Sequence, residues 1–194
     1  MIYLALIALT TLAANGARRL RHIAIGIAAV TITATAIGAS AATPSEIAVS
    51  GCAGLVAAGI LFVAARDAGY GEDPGWRLWV ATFVAAMVTP VAYASFRTIG
   101  GDPVAIAPLD SPTGVIIEVA GIWLLSSGTA ILLTARTAVR VSLAAILLIN
   151  GVLLLVRITP DARLGLTLVL AWLELIIALA GAFLIVNERA SREG

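Results

Sequence analysis

Lysine is absent from the 194 residues, histidine occurs once, at His22, and cysteine once, at Cys52. A single thiol closes no disulfide within the chain and builds no thiolate metal cluster; Cys52, inside an apolar run, reads as a small core residue. A single imidazole excludes paired haem ligation and any multi-histidine metal site within this chain. Charge of either sign is scarce, at 12% of residues, and the formal net charge is only +1. The chain has no glycine loop of the phosphate-cradling kind, no nucleophile beside a base, and no hydrophilic stretch long enough to fold as an aqueous domain. No catalytic residue, cofactor, metal or nucleic-acid partner is therefore expected.

What the chain does have is apolar sequence, at 61% of residues and a mean hydropathy of +1.06. Almost every segment lacks the polar face that a water-soluble domain needs, so an all-α polytopic membrane protein is expected. A spanning helix takes ~20 mostly apolar residues, and shorter ones are tolerated by local thinning of the bilayer. Seven stretches qualify: 1 to 16, 23 to 42, 47 to 65, 78 to 95, 115 to 135, 138 to 156 and 164 to 186. The first begins without a basic leader or a clear cleavage site and is read as a retained helix. Short polar segments rich in Gly, Pro and Asp separate the spans.

Arginine distribution sets the expected orientation. With seven spans, nine of the twelve arginines fall on one side, and Arg97, Arg157 and Arg163 lie opposite. The positive-inside bias then puts the C-terminus in the cytoplasm and the N-terminus outside, in the cell's inner (cytoplasmic) membrane. "RRLRH", residues 18 to 22, is most economically part of this topology signal. Trp76 and Trp79 fall where amphipathic indoles anchor a helix at the cytoplasmic interface.

The two ends of the chain share a grammar. Each has an apolar helix, an arginine-bearing turn, a second helix, a short turn with Pro and an acid, and a third helix ending in arginine. Arg21 and Arg140 open the middle helices, and Arg66 and Arg189 close the third ones. A single helix between two such triplets makes them parallel in the membrane. The expected organisation is 3+1+3: residues 1–66 as the first repeat, 67–114 as linker helix and loops, and 115–194 as the second repeat.

One residue conflicts with its surroundings. Glu174 lies almost at the midpoint of the apolar run 166–186, where an ionisable group costs ~2.5 to 3.5 kcal/mol on insertion scales and so usually faces protein or a water-filled cavity on an ion or proton path. Its helical neighbours Ala171, Ala178 and Gly181 are small, which lets this face approach another helix. Asn150, on the preceding span, lies at a similar depth and is the expected hydrogen-bond partner. Glu174 and Asn150 are thus the candidate proton-relay residues. Glu118 is a weaker third candidate, because its position near the start of the fifth span is explained by the helix N-terminus. A neutral Glu serving only as packing glue is the competing reading. Thr31, Thr33 and Thr35 cannot share one helical face and are read as bonding back to their own backbone. Pro90 predicts a kink near Thr89 and Tyr93.

Taken together, "LLTARTAVRVSLAAILLINGVLLLVRI" and "LTLVLAWLELIIALAGAFLIVNER" resemble subunit K of NADH-quinone oxidoreductase, a three-helix membrane subunit. The counterparts are Arg136 and Arg140 in the turn, Asn150 with Gly151, Glu174 as the buried acid, and Arg189 at the end. The doubled length is similar to component E of hydrogenase-4 and related formate hydrogenlyase-like complexes; residues 130 to 190 carry the detail. The resemblance implies a non-catalytic subunit of a complex I-like respiratory or hydrogenase-type oxidoreductase. Its partners would be other membrane subunits, antiporter-like ones among them, and its buried polar groups would serve proton or sodium translocation. There are departures: Ile146 stands where subunit K has a second Glu, and Ser50 and Gly51 stand where Glu174 would repeat in the first triplet.

Two other readings remain. Parallel triplets joined by an inversion helix are also the architecture of SWEET sugar carriers, although few polar groups lie at mid-span here and the triplet helices lack hinge prolines. The third reading is a purely structural membrane subunit.

Overall fold

The computed structural model describes residues 2–66, 75–99, 102–103, 110–158 and 163–193. It is a bundle of α1 (Ile2–Gly16), α2 (Leu20–Gly38), α3 (Pro44–Ala64), α4 (Gly75–Phe96), α5 (Pro112–Thr134), α6 (Ala138–Val156) and α7 (Arg163–Glu193). After α4, Thr98–Ile99 and Asp102–Pro103 form a two-residue antiparallel ladder, β1 with β2. The expected linking stretches at 67–74, 104–109 and 159–162 lie outside the described residues.

Six helices, α2 to α7, are long and apolar enough to cross a membrane. At ~1.5 Å per residue, α1, with its 15 residues, reaches only about 22 Å against a hydrocarbon thickness of ~30 Å. The chain is therefore built as a multi-pass helical membrane protein, with six helices of spanning length beside a shorter one.

α3 and α5 start three residues before their apolar runs because polar residues form the first turns. Thr43 caps α3 through a reciprocal capping box with Glu46, and Pro44 occupies the first turn, where its missing N–H costs nothing. Ser111 caps α5 in one direction only, accepting from the Gly114 N–H at 2.9 Å, again with a proline following. α7 runs past its apolar stretch to Glu193. Pro90 lies within an uninterrupted α4, while the Thr89 hydroxyl donates to Ala85 O at 2.7 Å. Thr33 likewise donates to Ala29 O, as expected of a membrane threonine.

α6 is the centre of the bundle, buried on nearly all sides, and packs on α5, α7 and α2. By contrast α4, with only Ala81 and Ala85 buried among its described apolar residues, is peripheral and packs mainly on α5. Across the middle of the bundle α1 meets α5, α2 meets α6, and α3 meets α7. The helix termini agree: Gly38 at the end of α2 lies against Arg157 at the end of α6. One end of the bundle thus holds Arg157, the starts of α3 and α5, and the ends of α2 and α4; the other holds Arg140, the end of α1 and the start of α6. Exposed apolar side chains such as Phe83, Met87, Trp172 and Phe183 clothe the outside, a surface suited to acyl chains. Trp76 and Trp79 are exposed at the start of α4.

Close helix contact depends on glycine. A Cβ on Gly151 would lie 2.9 Å from Gly121 O, and one on Gly121 would lie 3.2 Å from Gly151 O, so α5 and α6 touch backbone to backbone. Gly181 faces Ser142 and Leu61 with no room for a methyl group, which brings α7 onto α6 and α3 together. Gly151→Ala should therefore destabilise the bundle by roughly 1–3 kcal/mol through overpacking. Gly59, with open space around it, should accept alanine without loss. Thermal unfolding of both variants in detergent is the check: equal midpoints would show that the α5/α6 approach is not close.

Candidate functional site

α7 divides cleanly into two faces. Thr167, Leu170, Ala171, Glu174, Ala178 and Ile185 are buried, whereas Leu168, Val169, Trp172, Leu173, Ile176 and Leu179 are exposed. The buried positions recur at three- and four-residue intervals, so Glu174 belongs to the protein-facing stripe. Its side chain has 0% exposure.

The carboxyl lies against α6. Asn150 Nδ2 donates to Glu174 Oε1 at 3.2 Å and also to Ile146 O, one turn earlier in its own helix, at 3.0 Å. Local packing explains why Asn150 points this way. The neighbouring Gly151 seats α6 against α5, which fixes the rotation of α6 and leaves Asn150 towards α7. Glu174 Oε2 has no hydrogen-bond partner among the described residues. The pair therefore keeps capacity for one further hydrogen bond or for a proton at a buried carboxyl oxygen. Four buried hydroxyls, of Thr31, Ser127, Thr137 and Thr167, also have no partner among the described residues; Thr167 stands two turns from Glu174 on the same face.

Glu118 belongs to a different cluster. It is also fully buried, and Arg97, just beyond α4, grips it through Nε at 3.0 and 2.9 Å and Nη2 at 2.6 Å. Arg97 Nη1 reaches Asp110 at 2.6 Å, and its guanidinium lies over the Tyr93 ring at 5.7 Å. Hydrogen bonds from Arg97 to Glu118, then to Asp110, raise the proton affinity of this arginine above the ordinary guanidinium range. The cluster ties the end of α4 to the start of α5. Besides the position of Glu118 near the start of α5, this ion pair holds its carboxylate.

Two arginines, Arg140 and Arg157, are buried and join separate helices. Arg140, 3% exposed, donates from Nη1 to Asn15 O at 2.9 Å and from Nη2 to Ala17 O at 3.2 Å. A cation in the first turn of α6 is unfavourable to its own helix dipole, but here it meets the carbonyl-rich end of α1. Arg157, 2% exposed, donates from Nη2 to Ser50 Oγ at 2.6 Å. Burial lowers its proton affinity, and the nearby Glu46 charge opposes that fall. Arg140 was marked in sequence by its place at the start of a middle helix, and Arg157 only by standing immediately after an apolar run.

No protein-family model, curated protein or solved structure matches the chain.

The Asn150–Glu174 pair generates a double-mutant test. Asn150→Leu leaves the buried carboxyl with neither partner and should cost roughly 1–3 kcal/mol. Combining it with Glu174→Leu should recover most of that loss, since replacing both members of a buried polar pair is nearly neutral. Unfolding midpoints of the two single variants and the double variant measure the coupling; simple additivity would show that the two groups do not interact.

Proposed function

We propose that the chain is a non-catalytic integral subunit of a complex I-like respiratory or hydrogenase-type oxidoreductase, in which Glu174 and Asn150 form one link of a proton or sodium path. The observation that carries this reading is the carboxyl at mid-span of α7. It is wholly shielded by protein, joined to Asn150 by one oxygen and open at the other. These are the two residues that match the buried acid and the Asn-Gly segment of subunit K. With Ile146 in place of that family's second Glu, the role is a link and not a whole channel.

The 3+1+3 organisation with seven spans is part of the same proposal. Its support is the pairing of like helices, α1 with α5, α2 with α6 and α3 with α7, as two parallel triplets packed face to face in the same order would give. On this reading α4 is the inversion helix, α1 spans with local thinning, and the arginine bias places the C-terminus in the cytoplasm. Antiporter-like subunits would be its neighbours.

Like-with-like pairing also suits a SWEET-like small-solute carrier. Against that reading, the triplets are closely packed where Gly181 meets Leu61, and the cleft between α1, α4 and α5 has room for little more than a water molecule, at about 10 Å³.

Isolation of the tagged protein in mild detergent tests the proposal. Iron-sulfur and antiporter-like subunits should co-purify. Glu174→Gln should leave that subunit composition and redox turnover intact while most ion translocation is lost. Unchanged translocation in Glu174→Gln would reduce the pair to packing, and solute uptake by the isolated chain in liposomes would favour the carrier.

A further inference from the structure

The end of the bundle that carries Arg157 contains a cleft of about 610 Å³, remote in role from Glu174 and independent of the function proposed above. Ser40 and Thr43 of the α2–α3 turn line one side, Ser111 and Thr113 at the start of α5 line another, and Arg157 forms part of the lining beneath them.

Arg157 is the unusual member. Its guanidinium is sunk into the bundle at 2% exposure, yet the one group it bonds among the described residues, Ser50 Oγ, is neutral. Its Nε–H has no partner, and no carboxylate among the described residues lies at ion-pair distance from it. A buried cation without an anion at contact is a costly arrangement. Glu46 acts on Arg157 electrostatically, but that carboxylate accepts the Thr43 N–H at 2.7 Å and is committed to the α3 capping box. Asp110 and Glu118 are committed to Arg97.

The rest of the lining has the same preference. α3 and α5 both begin at the cleft, and each turns the positive end of its backbone dipole towards it. Glu46 offsets the first of these, while the first turn of α5 contains no acid. Ser40 and Thr113 are exposed on the walls and add hydroxyl donors.

We propose that this cleft binds a phosphate-type oxyanion, with Arg157 as the cationic donor and the Ser40 and Thr113 hydroxyls as neutral ones. Guanidinium is suited to such an anion because it stays charged when buried and presents several N–H groups in one plane. The position, at helix ends of a membrane bundle, admits both a dissolved phosphate and the phosphate of a lipid headgroup.

Thermal unfolding of the full-length protein in detergent separates these sources and tests the site. One arm titrates inorganic phosphate against chloride at constant ionic strength. The other adds phosphatidylglycerol, with diacylglycerol as the lipid lacking a phosphate. Protection by inorganic phosphate identifies a dissolved anion, and protection by phosphatidylglycerol but not diacylglycerol identifies a headgroup; either supports the site provided that Arg157→Gln weakens binding by roughly tenfold or more, as loss of a charge-assisted hydrogen bond does. Arg157→Lys should retain part of the affinity. Because Arg157 also holds Ser50, Thr113→Val serves as a second probe and should weaken binding without disturbing the fold. Absence of protection by either ligand, or affinity unchanged in Thr113→Val and Arg157→Gln, overturns the proposal; if Arg157→Gln does not fold, unchanged affinity in Thr113→Val alone overturns it.

Discussion

Hydrocarbon offers no partner to a polar atom, so the buried guanidiniums, carboxyls and amides of this bundle have to be answered from within the protein. That constraint organises the structure. Arg140 is answered by the open carbonyls that end α1, Arg97 by Glu118 and Asp110, and Arg157 by Ser50. The first and last of these links join helices distant in sequence, and each of the three lies at a bundle end, where backbone groups are left over by helix termini and charges can be reached from water. Glu174 is the exception, because its carboxyl lies within a span and its partner is a single amide.

Seclusion of that carboxyl depends on residues that have almost no side chain. Gly151 holds α6 against Gly121 of α5, and Gly181 lets α7 close onto Ser142 and Leu61. Larger residues at these points would separate the helices and open the acid to lipid, since association between membrane helices is driven by packing and not by hydrophobic burial. The polar pair and the glycine contacts therefore work together, with the small residues setting the distance across which Asn150 reaches Glu174.

Glu174 and Asn150 were legible because one charged residue in a long apolar run stands out, and helical rise alone puts the two at similar depth. Glu118 was not, because its partner Arg97 lies across a linking segment whose path no local pattern specifies. The start of α3 was misjudged by a hydropathy criterion that begins at Ile47, although Thr43, Pro44 and Glu46 already spelled a capping box. Thr31 and Thr33 look alike in sequence, but Thr33 bonds back to Ala29 and Thr31 packs against Gly54 with its hydroxyl unpartnered.

Local chemistry was enough to specify a membrane-embedded helical class, the approximate place of the apolar helices and the anomaly at position 174, because hydropathy and rise per residue belong to each segment separately. Tertiary structure alone decided which helix is central and which peripheral. α4 and α6 are both apolar enough to span, yet α6 is enclosed and α4 lies at the margin. It also decided that Arg140 and Arg157 are buried. Lipid tails and neighbouring helices are equally apolar, so hydropathy does not distinguish a lipid-facing surface from a protein-facing one; only the shape of the contact between helices does.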